Sequence, residues 1–90
     1  LQFWALGYLG ITERERGNYK RAADLFEQSL SLYGKNTMDD QLARAWILTY
    51  LGFTYRNMGK YDQSIMTLRE SFEIYEKLPH KNYGAQARNL

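Results

Sequence analysis

The sequence predicts an all-α fold, a right-handed superhelical α-solenoid of antiparallel helix hairpins. The first observation behind this prediction is internal repetition. Tyr8-Leu9-Gly10 returns as Tyr50-Leu51-Gly52, and the offset is 51 − 9 = 42 residues. Stacked repeats have periods of about 20–50 residues. The second observation is that apolar residues recur at helical spacing inside each repeat.

The same offset relates positions along the whole chain. It pairs Trp4 with Trp46, Leu6 with Leu48, Thr12 with Thr54, Arg14 with Arg56, Gly17 with Gly59, Tyr19 with Tyr61 and Ser29 with Ser71. A third copy begins where Ala43, Ala45 and Leu48 recur as Ala85, Ala87 and Leu90. We therefore assign repeat 1 to residues 1–36 and repeat 2 to residues 37–78. Residues 79–90 are assigned to a loop and to the first part of a third repeat's first helix, expected to begin near Asn82.

Repeat 1 predicts two helices joined by a tight turn. The first helix runs from Leu1 to about Arg16, because this stretch lacks proline and has its apolar residues at helical spacing. Gly17-Asn18 ends it, since the residue just past a helix often needs the positive φ that glycine adopts freely. The second helix covers residues 19–33, and such a short turn forces the pair into an antiparallel hairpin. Its predicted buried stripe is Ala22, Phe26, Ser29, Leu30 and Tyr33.

Repeat 2 predicts the same hairpin after a longer connector. Its first helix covers about residues 40–58, and Asp39 or Asp40 is the expected N-cap, because a side-chain oxygen there accepts from free N–H groups. Its second helix covers about residues 61–78 and stops at Pro79. The residues of this helix predicted to face inward are Ser64, Leu68, Ser71, Phe72 and Tyr75.

Composition limits the class of protein and the kind of partner. A hydrophobic content of 44% with 16% aromatic residues is ample for a packed core. The net charge of +2, from 12 basic and 10 acidic residues, is too near balance to indicate nucleic acid or a membrane surface as a partner. There is no cysteine, so disulfides and thiolate metal sites are excluded.

The ends of the sequence suggest a piece of a longer protein. The chain opens at Leu1 without methionine and stops inside a third repeat. It has no apolar run long enough to span a membrane, and no basic stretch followed by an apolar block at its start. We therefore expect a cytoplasmic location.

No residue pattern indicates catalysis, a cofactor or a bound metal. His80 is the only histidine and follows Pro79, with no cysteine or second histidine to act beside it, so we expect a surface residue. Asp39-Asp40 is explained by its place at a helix start, where a carboxylate is stabilised by the helix dipole. The glycines occur singly, so there is no phosphate-binding loop. We expect a protein that is not an enzyme.

These motifs together resemble a tetratricopeptide repeat. They are Leu6-x2-Leu9-Gly10, Gly17-x-Tyr19, Ala22-x3-Phe26 and Ser29, then Leu48-x2-Leu51-Gly52-x2-Tyr55, Gly59-x-Tyr61, Ser64-x3-Leu68 and Ser71. In such a motif Gly10 and Gly52 let the paired helix come close, and Phe26 and Leu68 fill the remaining space. The 42-residue period exceeds the usual length of about 34 residues. These long repeats resemble arrays of maltose-regulator-type transcription activators and of signalling ATPases with NACHT or NB-ARC modules.

The resemblance implies a protein–protein interaction module. In this family the first helix of each hairpin lines a concave face, which receives a peptide or helix of a partner. The residues that the resemblance places on that face are Trp4, Ile11, Arg14, Trp46, Thr49, Phe53, Arg56, Asn57 and Arg88. Trp46, Phe53 and Ile11 would bury apolar surface, and the arginines would select acidic or carbonyl-rich segments, because Trp and Arg dominate interface energetics.

Several alternatives stay open at this point. The first is that the tryptophans only pack against the extra helical turn of these long repeats and that the arginines only form a solvated face. A second function is a ligand- or protein-sensing array in a signalling ATPase or transcription activator. A third is self-association through uncapped repeat ends, because arrays normally need polar capping repeats. A carboxylate clamp built from Lys and Asn is not expected, since the concave positions carry Gly7, Ile11, Thr49 and Phe53.

Overall fold

Four α-helices make up the part of the chain that the structure, a computed structural model, describes, which is residues 2–32 and 38–78. They are α1 (Gln2–Glu15), α2 (Tyr19–Ser31), α3 (Met38–Asn57) and α4 (Tyr61–Lys77). α1 pairs with α2, α3 pairs with α4, and α2 packs against α3 to join the two hairpins. The predicted all-α fold of helix hairpins is therefore confirmed. The fifth helix expected near Asn82 lies outside the described residues.

Both hairpin turns use the same glycine-based helix ending. Gly17 has φ +86° and Gly59 has φ +79°, in the left-handed region that glycine adopts without steric cost. The Asn18 amide donates to the Glu13 carbonyl at 2.8 Å, and the Lys60 amide donates to the Tyr55 carbonyl at 2.9 Å. These bonds satisfy carbonyls that the end of a helix would otherwise leave without a partner. The predicted turns are confirmed, and they are the same in both repeats.

Within each hairpin, one glycine sets how closely the two helices approach. A Cβ added at Gly10 would lie 2.7 Å from Cε1 of Phe26, and one added at Gly52 would lie 2.6 Å from Cγ of Leu68. Carbon atoms in contact normally lie about 3.5–4.0 Å apart, so neither position has room for a side chain. The small-residue packing predicted from the motif is confirmed, with Phe26 and Leu68 filling the space opposite each glycine.

The main hydrophobic core lies at the seam between the two hairpins. It joins α2 to α3 through six buried residues, which are Ala22, Ala23, Phe26, Ile47, Leu51 and Tyr55. The Tyr55 hydroxyl crosses the seam and donates to Oε2 of Glu27 at 2.5 Å. Buried Ala23 and Leu25 were not among the predicted inward-facing residues, because α2 is covered on one side by α1 and on another by α3. The seam is therefore where one repeat is joined to the next.

The start of α3 differs from the prediction. The helix begins at Met38, so Asp39 and Asp40 are already inside its first turn. The predicted N-cap at Asp39 or Asp40 is therefore wrong. A carboxylate in the first turn is still favourable, because it faces the positive end of the helix dipole. Composition alone does not distinguish this first-turn role from an N-cap.

Phe72 also departs from the prediction of an inward-facing stripe on α4. Ser64 and Ser71 are buried as predicted, whereas the side chain of Phe72 is 60% exposed. Its equivalent in repeat 1 is Leu30, which packs against the core because α3 covers α2 there. Among the described residues no helix covers α4 in the same way. The exposure of Phe72 is therefore a consequence of its place in the stack.

Candidate functional site

A row of aromatic rings runs along the surface that α1 and α3 share. Trp4 lies 5.3 Å from Trp46 between ring centroids, and Tyr8 lies 5.5 Å from Trp46. Trp46 lies 5.5 Å from Tyr50, which lies 6.3 Å from Phe53. All four separations fall in the favourable range of about 4.5–7 Å for aromatic pairs. We call these five residues the aromatic ladder.

The sequence forms this ladder through helical spacing and one close approach. Trp4 and Tyr8 are four residues apart on α1, and Trp46 and Tyr50 are four apart on α3, so each pair lies on one helix face. Gly7 of α1 is buried where this helix meets α3, and a Cβ there would lie 2.8 Å from Cδ1 of Ile47. Because Gly7 has no side chain, α1 comes near enough for its rings to contact Trp46.

The ladder is open to solvent on the side that α1 contributes, and its α3 side is packed against the core. Trp4 is 45% exposed and Tyr8 is 59% exposed. Trp46 and Tyr50 are half-buried, because both pack against the core of the seam. A surface that is exposed on a fixed base needs little reordering when a partner binds, which lowers the entropic cost of association.

Arg14 lies at the far end of the ladder. Its guanidinium carbon is 5.7 Å from the centroid of the Phe53 ring, a distance suited to a cation–π contact. Its Nε is buried and donates no hydrogen bond. Most buried polar groups in proteins have a hydrogen-bond partner, so this donor is an exception among the described residues.

A cleft lies at the other end of the ladder. It has a volume of about 420 Å³ and is lined by Trp4, Leu42, Ala43 and Trp46. Ligand pockets in proteins span about 300–1,000 Å³ and are mostly apolar. The surface therefore has an apolar cleft at one end and a cation at the other.

The structure brings together four of the residues predicted for a binding face. Trp4, Trp46 and Phe53 belong to the ladder, and Arg14 contacts Phe53. Ile11 packs against the core of the seam.

Thr49, Arg56, Asn57 and Arg88 are not placed in the ladder. The Thr49 hydroxyl lies 2.9 Å from the Ala45 carbonyl oxygen and 2.7 Å from Oγ of Ser71, so it takes part in the packing of α3 on α4. Arg56 and Asn57 are exposed at the end of α3. Arg88 lies outside the described residues.

Tyr8 and Tyr50 belong to the ladder but were not among the predicted site residues. Two signals in the sequence could have found them. Each follows a tryptophan by four residues, and the two are 50 − 8 = 42 residues apart, like the tryptophans. Both tyrosines directly precede the Leu-Gly pair of the repeat motif, so the motif alone explains their recurrence.

A polar cluster holds the turn between α1 and α2. The buried Glu13 carboxylate accepts from Nδ2 of Asn18 at 2.7 Å and from Nε of Arg21 at 3.0 Å. The Asn18 hydrogen bond lowers the pKa of Glu13 below its ordinary value of 4.5, and Arg21 and Arg16 act in the same direction while burial opposes them. Every oxygen of this carboxylate is engaged within the chain, so the cluster is a structural clamp between α1 and α2.

Metal-binding and membrane-spanning features are not seen in residues 2–32 and 38–78. That part of the chain holds no group of three or more His, Cys, Asp or Glu side chains placed to bind a metal ion. None of its helices combines the length and the apolar character needed to cross a membrane.

The comparisons with known proteins identify one family. The tetratricopeptide repeat family model matches residues 4–35 and 44–78, one segment in each repeat. No curated protein and no solved structure matches the chain significantly. The two matched segments contain the ladder, the seam core and both glycine turns.

Proposed function

Because this chain belongs to the tetratricopeptide repeat family, we propose that it holds a peptide or helical segment of a partner protein against the aromatic ladder. Repeats of this family generally mediate protein–protein interactions and are typically non-enzymatic scaffolds. The observation that carries the proposal is the half-exposed row of rings that ends at Arg14, whose guanidinium carbon lies 5.7 Å from the centroid of the Phe53 ring.

The ladder favours a partner segment with an apolar side chain at one end. Trp4 and Trp46 line the cleft, and large aromatic surfaces of this kind are common energetic centres of interfaces. Burying a Leu or Phe side chain there would contribute about 1.5–3 kcal/mol. An isolated carbonyl or carboxylate would gain nothing from the cleft, because its lining offers rings and aliphatic carbons.

Arg14 favours an acceptor at the other end of the same segment. Ten residues of α1 separate Trp4 from Arg14, which is about 15 Å at a helical rise of about 1.5 Å per residue. An extended peptide covers that distance in about four or five residues, at about 3.3 Å each. A carboxylate at that spacing would pair with the guanidinium of Arg14.

The proposal is tested by selecting peptides on the folded chain. A displayed peptide library is enriched on the immobilised protein, and the affinity of the best peptide is measured by titration against variants. Trp4→Ala combined with Tyr8→Ala removes the two exposed rings of the ladder. We expect this variant to lose at least about tenfold in affinity, as truncation of interface hot spots does.

Met66→Ala is the matched control for this titration. Met66 is a large apolar residue that is 70% exposed on α4, away from the ladder. We expect it to leave the affinity unchanged, and circular dichroism confirms that each variant keeps its helices. Equal loss in both variants, or no loss in the ladder variant, would remove the ladder from the binding site.

The cleft between Trp4 and Trp46 favours a second candidate function. Its volume of about 420 Å³ suits a small molecule as well as a side chain. In a sensing array of a signalling ATPase or a transcription activator, such a ligand would bridge α1 and α3 and bias how the hairpins pack. Finding a P-loop or a helix-turn-helix domain elsewhere in the gene would favour this candidate, and a gene that encodes repeats alone would contradict it.

A further inference from the structure

The polar atoms of the aromatic ladder are hydrogen-bond donors. The ring nitrogens of its two tryptophans can only donate, and the hydroxyls of its two tyrosines can donate as well as accept. Its fifth ring, Phe53, is apolar, and Arg14, which lies over that ring, carries donors only. The ladder itself includes no carboxylate and no amide side chain. A segment that covers these rings is therefore favoured if it brings acceptors rather than donors.

The backbone beneath the ladder does not supply the missing acceptors. Tyr8 lies inside α1, and Trp46, Tyr50 and Phe53 lie inside α3, so their backbone groups are bonded along those helices. A peptide in the β conformation gains affinity by pairing its N–H and C=O groups with a free sheet edge, which a helical surface lacks. Each N–H group that the rings covered would lose water without gaining an acceptor, at a cost in free energy.

A proline-rich segment in the polyproline II conformation matches a surface of this kind. Proline has no N–H group, and the carbonyls of a polyproline II helix form no internal hydrogen bonds. Such a segment therefore brings acceptors for the indole and hydroxyl donors and no donor that the ladder would leave unpaired. An α-helix has its carbonyls bonded internally, so it would cover the same donors without offering them backbone acceptors. Polyproline II is also formed before binding, which lowers the entropic cost of association.

The spacing of the ladder matches the repeat of polyproline II. Trp46 and Phe53 are 53 − 46 = 7 residues apart on one face of α3, which is about 10.5 Å along the helix axis. One turn of polyproline II takes three residues and about 9.3 Å. Residues of the partner that are three apart would therefore lie over these two rings. The distance of about 15 Å from Trp4 to Arg14 corresponds to about five residues of polyproline II.

The charge at the end of the ladder adds a requirement for an acidic residue. The Arg14 guanidinium carbon lies 5.7 Å from the centroid of the Phe53 ring, so a cation stands beside the ring where the second proline would lie. A carboxylate in the partner would meet this cation, whereas a lysine there would be repelled. Complementary charges of this kind favour one partner and one register over others.

We propose that the partner segment is a proline-rich stretch in the polyproline II conformation that carries an acidic residue at one end. This inference rests on the proposed function and specifies the partner of the same site. Prolines at the first and fourth positions lie over Trp46 and Phe53, and the acidic residue at about the sixth position lies beside Arg14. The carbonyls between them accept hydrogen bonds from the tyrosine hydroxyls of the ladder.

Fluorescence anisotropy of short labelled peptides on the 90-residue chain tests this partner class. One probe is six prolines followed by two aspartates, and a second has the aspartates first, because the spacing of the prolines is the same from either end. The tighter probe is compared with a peptide whose prolines are replaced by alanine and with one whose aspartates are replaced by lysine. The native chain should bind each of these two at least about tenfold more weakly. Equal affinity for the proline and alanine peptides would overturn the proposal.

Conservative variants of the chain test the two kinds of contact. Tyr8→Phe combined with Tyr50→Phe removes two donors and keeps both rings, so the proline probe should bind at least about threefold more weakly. Tyr61→Phe is the matched control, because Tyr61 is exposed at the start of α4, outside the ladder, and the affinity should not change. Arg14→Gln should remove the preference for aspartate over lysine and keep the preference for proline over alanine. Unchanged binding in the double variant or in Arg14→Gln, with helices retained in circular dichroism, would overturn the proposal.

The peptide library described above separates this inference from the proposed function. Enrichment of prolines in the peptides that depend on the ladder would support the inference. Ladder-dependent peptides that lack proline, or that become helical when bound, would overturn the inference and leave the proposed function standing. If peptides bind equally well to the ladder variant, the proposed function and this inference are both wrong.

Discussion

Replacing Tyr55 with phenylalanine should weaken the seam between repeats at neutral pH. The hydroxyl of this buried residue donates a 2.5 Å hydrogen bond to the carboxylate of Glu27. A hydrogen bond to a charged group contributes about 1.5–3 kcal/mol. Glu27 is exposed and regains water in the variant, so we expect a loss at the lower end of that range, about 1.5 kcal/mol.

The same substitution should become stabilising in strong alkali. Burial raises the pKa of Tyr55 from 10.0 to about 12, and the hydrogen bond and charge of Glu27 add to this effect. Because the folded pKa exceeds the unfolded one, the contribution of Tyr55 is fully present below pH 10.0 and is lost as pH rises towards about 12. A rise of two pKa units corresponds to about 3 kcal/mol of folding stability, and about half of this stability is lost by pH 11. The native and Tyr55→Phe chains should therefore be equally stable near pH 11, with the order reversed above it.

Urea unfolding followed by circular dichroism, at pH 8 and through the alkaline range, measures this difference directly. Other titrating groups are common to both chains and cancel in the comparison. Tyr61→Phe is the control for removing a hydroxyl, because Tyr61 is exposed and outside the seam core, and it should leave the stability at pH 8 unchanged. If the difference in unfolding free energy between the native and Tyr55→Phe chains stayed constant across the alkaline range, the reasoning about the seam would be refuted.

Substitutions at three further positions test the hairpins themselves. Phe26→Ala should destabilise the chain by about 3–5 kcal/mol, as removal of a fully buried ring does. Phe26→Leu should cost far less, because Leu68 fills that place in repeat 2. Equal melting temperatures for the two variants would contradict this. Gly17→Ala should cost about 1–2 kcal/mol in urea titration although nothing lies within 4 Å of the added Cβ, since φ is +86°; an unchanged midpoint would show that the turn relaxes. Because the pKa of Glu13 is lowered in the folded chain, its contribution to folding stability is present above pH 4.5 and is lost as pH falls below that value. Glu13→Gln should therefore flatten the acid side of the plot of stability against pH. Plots for the native and variant chains that run parallel in acid would rule this out.

The hairpins could be predicted because their determinants are local or periodic. Gly17 and Gly59 end helices in both repeats, and Gly10 and Gly52 recur opposite Phe26 and Leu68. Helix spacing also predicted the burial of Ala22, Ser64 and Ser71. These features depend on the residues of one hairpin, which a short stretch of sequence contains.

The burial of faces between hairpins could not be predicted in the same way. Spacing gives Leu30 and Phe72 the same inward position, yet only Leu30 is covered by a following helix. Leu9 and Leu51 differ for the corresponding reason, because α3 packs against the second helix of the preceding hairpin, whereas the described residues hold no hairpin before α1. Periodicity shows which face is apolar, and the neighbour decides whether it is buried.

The candidate site could be predicted in part. The tryptophans, Phe53 and Arg14 were expected to share a face, and the structure brings them within contact distance. Thr49 occupies a similar place in the sequence pattern but bonds to Ser71, because a small hydroxyl fits between packed helices where a ring would not. Whether these residues bind a partner stays a prediction.

Tryptophan emission tests the central claim most directly, because both tryptophans of the chain lie in the aromatic ladder. Two variants, Trp4→Phe and Trp46→Phe, leave one reporter each, and the selected peptide is added to both. If the ladder holds the partner segment, the emission of each remaining tryptophan shifts to shorter wavelength and saturates with the same affinity. Binding that saturates by an independent method while both emissions stay unchanged would place the partner elsewhere and contradict the account.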